Sequence, residues 1–559
     1  MRFFLSHRTS LFMALCWLGT LHSATQAPIV FPSATSCARD QKGLLDIAFY
    51  PLKEQIKKDE FVVQHNPYKK TTAKVRIGGA AVGADEVAWR KERFAKVKKA
   101  QEAFLNMTLA DDEVLEIAIA LSGGGYRAMV GSTGSLAAAE RVELLDCVMT
   151  IASLSGSTWF LAPWIVSGLS ANDYKNYLLP KLFTGLDPLD LADGPRIIEA
   201  LLIKFAFDQP ITAVDLYGGL LGNKLFRMCG TNMQHVYFAS DIAPKSPSLV
   251  TQIEDANVPF PVYTARLAND DFPEEWFELT PYEVGSRWLG AYVPTWACGR
   301  RFFKGASIDF AVEQPLSFYM GIFGSSFSAD FQEMYENLLQ SSVSASIRSV
   351  LDALFSTELG TIRLTYGKIN NFAAGINNSP LKSEKYIGLM DAGMTFGTPY
   401  FATYRKQPHD AAPDIIIAFD YSGGPGMHGL EMAAEYAEQK GFAFPDVSDP
   451  ESGYRTITVF DQKTNAAAPT IIYLPRVVDQ QLLAEYKNDS KLSSYYKLLA
   501  NLNMNTAMAG YAQTANFYYK AAQALQWSAL CEFNLLANIE TVRSTLKACA
   551  LAKRAQKNM

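Results

Sequence analysis

Histidine is scarce in this chain, which narrows the chemistry open to it. Six histidines occur in 559 residues. His7 and His22 lie in a leader-like segment, which leaves His65, His235, His409 and His428. None sits in a pattern suited to the base of a catalytic triad: His428 lies in a glycine-rich loop and His409 follows a proline. A Ser-His-Asp hydrolase is therefore disfavoured. Cysteine is sparse as well. Beyond Cys16 in the leader, Cys37, Cys147, Cys229, Cys298, Cys531 and Cys549 offer no pair at metal-ligand spacing, and six over this length make no disulfide framework. No metal or cofactor is expected. Cys147 reads as a small apolar core residue. Basic charge is not in excess: the formal net charge is −5, which disfavours nucleic acid as a partner. The one run of three glycines, Gly123–Gly125, has no G-x-G-x-x-G spacing and no Gly-Lys-Ser/Thr after it, which disfavours a nucleotide site there.

Long uncharged apolar runs are also missing, apart from Leu11–Leu21 near the start. That run is too short to span a bilayer and follows Arg2 and Arg8, so Met1–Ala27 reads as a signal peptide cut after Ala24 or Ala27. Its removal takes two arginines and no acid, moving the charge from −5 to −7. The expectation is a secreted or periplasmic protein with no transmembrane segment in its mature chain. Residues 28–84 are polar and proline-containing and read as an N-terminal extension. Length alone would suggest three or four domains of ~150 residues. The informative motifs are instead spread over most of the chain, so residues 85–559 are read as one large domain.

The densest chemical signal is Ile151-Ala-Ser-Leu-Ser-Gly-Ser-Thr-Trp-Phe160. An apolar strand around Val148–Ala152 runs into a turn of small residues, and Thr158 opens a helix. Such a strand-to-helix turn exposes a serine hydroxyl and needs small residues two before and two after it. Here those flanks are Ser153 and Ser157 rather than glycine, and Ser155 is the candidate nucleophile. Upstream, Val114–Leu121 reads as a strand that enters Ser122-Gly-Gly-Gly-Tyr-Arg127, and a small-residue helix follows over Ala128–Ala139. Glycine N–H groups at a helix N-terminus suit an oxyanion. Downstream, the apolar Ile387–Met390 ends at Asp391, which is either a turn former or a partner for a polar group.

Four stretches together carry a family resemblance: Ser122-Gly-Gly-Gly-Tyr-Arg-Ala-Met129, Leu154-Ser-Gly-Ser-Thr-Trp159, Phe277-Glu-Leu-Thr-Pro-Tyr-Glu-Val-Gly285 and Asp391-Ala-Gly-Met-Thr-Phe-Gly-Thr-Pro-Tyr400. The chain resembles the catalytic domain of the cytosolic phospholipase A2 and fungal phospholipase B (lysophospholipase) family, a relative of the patatins. The resemblance implies an α/β fold with a central mixed sheet flanked by helices and a cap or lid insertion, placed here at about 318–385. It implies a Ser155–Asp391 dyad without histidine, oxyanion N–H groups from Gly124 and Gly125, and Arg127 orienting the phospholipid head group. It also implies phospholipid and lysophospholipid substrates met at a membrane or micelle surface. In some members an arginine follows the strand matching Asp414–Tyr421, where this chain has Gly423-Gly-Pro-Gly426. Residues 28–84 are too few for the calcium-dependent lipid-docking β-sandwich of some animal relatives, so no calcium requirement is expected. The alternatives are a patatin-like esterase or acyltransferase on the same scaffold, and a catalytically inactive lipid-binding protein.

The remaining expectations concern elements. Asp85 caps a helix to about Leu105, with Val87, Phe94, Val97 and Phe104 on one face and Arg90, Lys91, Arg93, Lys96, Lys98 and Lys99 on a solvated face. A helical stretch is expected over 329–370, an irregular loop over Asn371–Lys385, strands at Pro259–Leu267, Asp414–Phe419, Thr456–Phe460 and Thr470–Leu474, and a last helix over Leu535–Ala552.

Overall fold

The computed structural model describes residues 50–557 except 52, 59, 185–193, 228–235, 242–247, 269–271, 273, 274, 327–365, 408, 409, 424–427, 450, 462–465, 515 and 517. The leader and most of the expected lid lie outside the described residues.

Among the described residues a 12-stranded mixed sheet organises the chain. Its strands are β1 (Arg76–Ile77), β2 (Ile117–Leu121), β3 (Thr150–Leu154), β4 (Phe260–Leu267), β5 (Trp276–Leu279), β6 (Glu283–Ser286), β7 (Ala291–Pro294), β10 (Gly367–Asn370), β11 (Tyr386–Asp391), β12 (Ile415–Asp420), β13 (Thr458–Phe460) and β14 (Thr470–Pro475). A separate ribbon pairs β8 (Phe302–Phe303) with β9 (Ala306–Ser307). The main order is β1-β7-β6-β5-β4-β3-β2-β12-β14-β13, and β11 pairs with β4 and β10. The run β4-β3-β2-β12-β14 is parallel. These strands read as continuous apolar segments because both faces are covered; Ile117, Ile119, Ile151, Ile415 and Ile417 are all buried. Each such side chain contributes about 2 kcal/mol of burial.

The helices that position the site are α1 (Ala84–Leu105), α2 (Tyr126–Arg141), α3 (Thr158–Ser167), α4 (Ala213–Arg227), α5 (Leu316–Phe323), α6 (Ala521–Ala537) and α7 (Ile539–Lys557). Helix α2 is buried almost all round, consistent with its glycine, alanine and serine content. Helix α6 packs so closely on it that a Cβ at Gly134 would lie 2.0 Å from the Ser528 carbonyl oxygen. Trp527 Nε1 donates to the Arg127 carbonyl at 3.2 Å, tying α6 to the first turn of α2.

Several expectations are corrected. Helix α1 starts after Gly83, not at an Asp85 cap. Val87 is exposed, while Trp89, Arg93 and Gln101 join Val97 and Phe104 on the buried face. Arg90 and Arg93 are not part of a solvated basic face. Arg93 donates to the carbonyls of Leu145, Asp146, Val148 and Ala256, and Glu86 of the same helix pairs with buried Arg405. The helix expected to reach residue 370 gives way to strand β10, which is held in register by β11. The last helix is two, α6 and α7, broken at Asn538, whose amide donates to Thr456 Oγ1 at 3.0 Å. The loop expected over Asn371–Lys385 consists of turns. Arg76–Ile77 of the N-terminal extension adds an edge strand beside β7. Cys147, Cys298, Cys531 and Cys549 are free thiols, and Cys147 is fully buried.

Candidate active site

Two strands meet end to end where the site forms. On one edge of β4, β3 runs parallel until Leu154 pairs with Thr264. The opposite edge of β4 is filled by β5 up to Arg266. Strand β11 arrives antiparallel, and its last residue, Asp391, pairs with Ala265. The residue after Leu154 therefore faces the end of β11. Ser155 Oγ donates to Asp391 Oδ2 at 2.8 Å, across 236 positions of sequence.

The local backbone presents that hydroxyl. Ser155 has φ +50°, the left-handed region that costs an L residue energy and recurs at functional turns. One turn of 3₁₀ helix follows over Ser155–Ser157, then α3. The two serines that replace glycine are accommodated differently. Ser157 Oγ accepts from Leu154 N–H at 3.0 Å and has the Leu154 and Leu121 carbonyls at 2.8 and 3.0 Å as acceptors for its single proton, so it bridges the ends of β2 and β3. Ser153 is buried in the strand, its Oγ 3.5 Å from the Val262 carbonyl.

The glycine loop lies directly against this turn. A Cβ at Gly156 would fall 1.8 Å from the Gly125 carbonyl oxygen, so no larger residue fits between the two backbones. Gly124 has φ +135° and Gly125 φ +62°, which glycine adopts without strain. Gly123 N–H donates to Gly397 O at 2.8 Å. Among the described residues, neither the Gly124 nor the Gly125 N–H has a protein acceptor. Helix α2 begins at the next residue, so its positive end adds to the same spot.

Asp391 is 2 % exposed and Ser155 4 %. Burial pushes the Asp391 carboxyl up to about 6, against the opposing hydrogen bonds from Gly393 N–H, Ser155 and Ser326. Its own N–H donates to Ser325 Oγ at 3.0 Å, and Gly393 N–H donates to Oδ1 at 2.9 Å. Arg127 lies inside the protein, beside Gly124. Its Nε donates to Tyr421 O and its Nη1 to Ala512 O, both at 2.6 Å. Nη2 has no hydrogen-bond partner and sits 2.8 Å from where a Gly124 Cβ would be. Burial, aided by nearby Arg476, lowers this guanidinium to about 10, so it stays charged at neutral pH. His65 and His428 are exposed, and His235 and His409 lie outside the described residues.

The structure thus brings Ser155, Asp391, Gly124, Gly125 and Arg127 into one neighbourhood. Sequence reasoning missed Ser325 and Ser326, which hold Asp391, and Arg476, which follows β14 in the charged surroundings of Arg127. Their separations of about 65 to 350 residues from these partners leave no local pattern to read. Among the described residues no cluster of histidine, cysteine and carboxylate side chains is suited to a metal, and no helix is long and apolar enough to cross a membrane.

Fold and site define a mixed-sheet α/β protein that holds a serine–carboxylate pair beside a glycine loop. Residues 117–183 and 192–395, just under half of the chain, match the family model described as the lysophospholipase catalytic domain. Human cytosolic phospholipase A2 zeta is 23 % identical over 534 residues, covering 83 % of this chain and 60 % of that one. The chain therefore spans about three fifths of that relative's length. The solved structure of human GIVD cytosolic phospholipase A2 superimposes with a TM-score of 0.68 at 22 % identity, covering 85 % of this chain and 68 % of the other. A second structure of that protein, in complex with methyl gamma-linolenyl fluorophosphonate, gives 0.64 at 23 % identity, over 86 % and 66 %. The central mixed sheet with flanking helices is the same fold.

Proposed function

We propose that the protein is a calcium-independent phospholipase A2 or lysophospholipase that cleaves carboxylic esters of glycerophospholipids through an acyl-enzyme on Ser155. The observation that carries this reading is the 2.8 Å hydrogen bond from Ser155 Oγ to Asp391 Oδ2 beside two glycine N–H groups without a protein acceptor. In the first half-reaction Ser155 Oγ attacks the ester carbonyl carbon while Asp391 takes its proton. The charge that develops on the carbonyl oxygen is met by the Gly124 and Gly125 N–H groups and the α2 dipole. The tetrahedral adduct collapses, the alcohol leaves with the proton from Asp391, and the acyl group stays on Ser155. Water, deprotonated by Asp391, then attacks the acyl carbonyl, and Ser155 recovers its proton.

An ordinary aspartate is too weak a base for this step. Burial that raises Asp391 to about 6 brings it closer to the operating pH. The base also acts at direct hydrogen-bond distance on a serine whose negative charge moves at once to the glycine loop. Every role is filled by side chains and backbone, so the mechanism needs no calcium. Arg127 supports a lipid substrate: its Nη2 lacks a partner and lies beside the glycine loop, suited to an anionic head group. Ser155 and Asp391 are nearly sealed from solvent, so substrate entry requires segments over the site to move; of the expected lid at about 318–385, Phe318–Phe323 lies in buried helix α5 and Gly367–Asn370 in strand β10, and residues 327–365 lie outside the described residues. The leader-like residues 1–27 assign the protein to export, which N-terminal sequencing of the mature protein would check.

The test is fatty-acid release from lysophosphatidylcholine and phosphatidylcholine with calcium chelated, comparing wild type with Ser155→Ala and Asp391→Asn. Release that survives chelation and is lost in both folded variants supports the dyad. Activity persisting in Ser155→Ala contradicts it.

A further inference from the structure

Beside the glycine loop, one buried cation is only partly satisfied. Arg127 is fully buried, and its Nε and Nη1 are taken by the carbonyls of Tyr421 and Ala512. Among the described residues, Nη2 has no partner. A buried donor of a charged group is costly to leave unpaired, so it calls for an acceptor that arrives with a ligand.

Two glycines flank that nitrogen. A Cβ at Gly124 would lie 2.8 Å from Nη2, and one at Gly423 would lie 3.2 Å from it. Gly124 belongs to the loop that touches the nucleophile, since a Cβ at the preceding Gly123 would lie 3.1 Å from Ser155 Cβ. Gly423 is exposed, and its φ is outside the left-handed region, so backbone strain does not call for glycine there. What glycine supplies is room. The far wall of that room is Thr514, whose Oγ1 lies 3.0 Å from the same Gly423 Cβ position. Thr514 is exposed. The turn that carries it is fixed to the guanidinium through the 2.6 Å bond from Arg127 Nη1 to Ala512 O.

One gap therefore has a buried cationic donor on one side and a hydroxyl on the other, both at hydrogen-bond range of the place left by the missing Cβ. A small, anionic acceptor suits it, and an oxygen of a phosphate ester meets both conditions. We propose that Thr514 Oγ1 and Arg127 Nη2 hold the phosphate of a glycerophospholipid between them across Gly423, with Thr514 a specificity-determining residue that favours phosphorylated glycerol esters over uncharged acylglycerols. This inference rests on the Ser155–Asp391 reading of the site. A single nitrogen separates the gap from the glycine loop, so the short glycerol backbone that joins ester to phosphate reaches from one to the other. The phosphate enters from the exposed Gly423–Thr514 side. A site built to pair with a substrate oxygen discriminates against analogues that lack it, because its own donors are then left unpaired.

The experiment measures the ratio of kcat/KM on lysophosphatidylcholine to that on a monoacylglycerol of the same acyl chain, in wild type, Thr514→Val, Thr514→Ser and Gly423→Ala. Wild type is expected to favour the phospholipid. Thr514→Val should lower the ratio about tenfold, the worth of one hydrogen bond to a charged group, mainly through KM on the phospholipid. Thr514→Ser, which keeps the hydroxyl, should hold the wild-type ratio, and Gly423→Ala, which fills the gap, should lower it at least as far as Thr514→Val. A ratio that Thr514→Val leaves unchanged, or a wild type that does not favour the phospholipid, overturns the proposal while leaving the dyad intact. A wild type inactive on both lipids, with Ser155 not labelled by a fluorophosphonate, instead overturns the reading of the site. Should Gly423→Ala fail to fold, the exposed Thr514 decides alone: competitive inhibition by glycerophosphocholine must weaken about tenfold in Thr514→Val, and an unchanged inhibition constant sinks the assignment.

Discussion

Asp391 is ionised at neutral pH, yet it sits in surroundings that favour its neutral form. Burial raises it to about 6 while three hydrogen bonds act against that rise. In its proposed role as base Asp391 works deprotonated, so activity is expected above this value and to fall as pH drops through it. We predict that kcat/KM declines about tenfold per pH unit below about 6, with a plateau above; a profile flat to pH 4 contradicts Asp391 as the base. Ser155→Ala should lower kcat by roughly 10⁴-fold or more without unfolding the protein, read as fatty-acid release against an unchanged thermal transition. At this scale the sequence was informative where chemistry was local. Ser155 stood in a recognisable turn, and Asp391 closed an apolar strand.

The decisive elements are the turn after β3 and the glycine loop after β2, which interlock. Gly156→Ala puts a methyl group 1.8 Å from the Gly125 carbonyl, so the loop must shift and the N–H groups of Gly124 and Gly125 leave their alignment. We expect a loss of about 10²–10³ in kcat, the size seen for removal of one oxyanion donor, measured alongside a modest fall in thermal stability. Ser157→Gly, which removes the clamp on the ends of β2 and β3 but adds no bulk, should cost stability more than turnover. The strands were legible because both of their faces are covered, giving unbroken apolar runs such as Ile117–Leu121 and Ile415–Phe419. Helix α1 was misread for the converse reason. Its buried face holds arginine and glutamine as well as aromatics, and Arg93 is buried because it satisfies carbonyls of the β3 approach and of the loop before β4. Arg93→Ala should lower stability by about 3 kcal/mol through those unpaired carbonyls, seen as a lower urea midpoint at constant m.

Across the whole molecule, the sheet turns distance in sequence into proximity. The proposed nucleophile, Ser155, follows β3 in the parallel run, and the proposed base, Asp391, ends a late strand that joins the same edge of β4. Family order along the chain indicated that Ser155 and Asp391 belong together, but their end-to-end meeting is a property of sheet topology. The break at Asn538 and the strand at Gly367–Asn370 were likewise hidden, since tertiary partners at Thr456 and in β11 decide them. Because serine, aspartate and backbone N–H groups fill every proposed role, chelating calcium should leave the specific activity unchanged, and a requirement for added calcium would contradict the mechanism at this scale.

The most direct measurement is to react the folded protein with a fluorophosphonate and locate the adduct by peptide mass spectrometry, in wild type and in Asp391→Asn. The account predicts one adduct, on Ser155, formed quickly in wild type and at least a hundredfold more slowly in Asp391→Asn, since the base that removes the serine proton is gone. An adduct on another serine, or a rate indifferent to Asp391, would contradict the dyad.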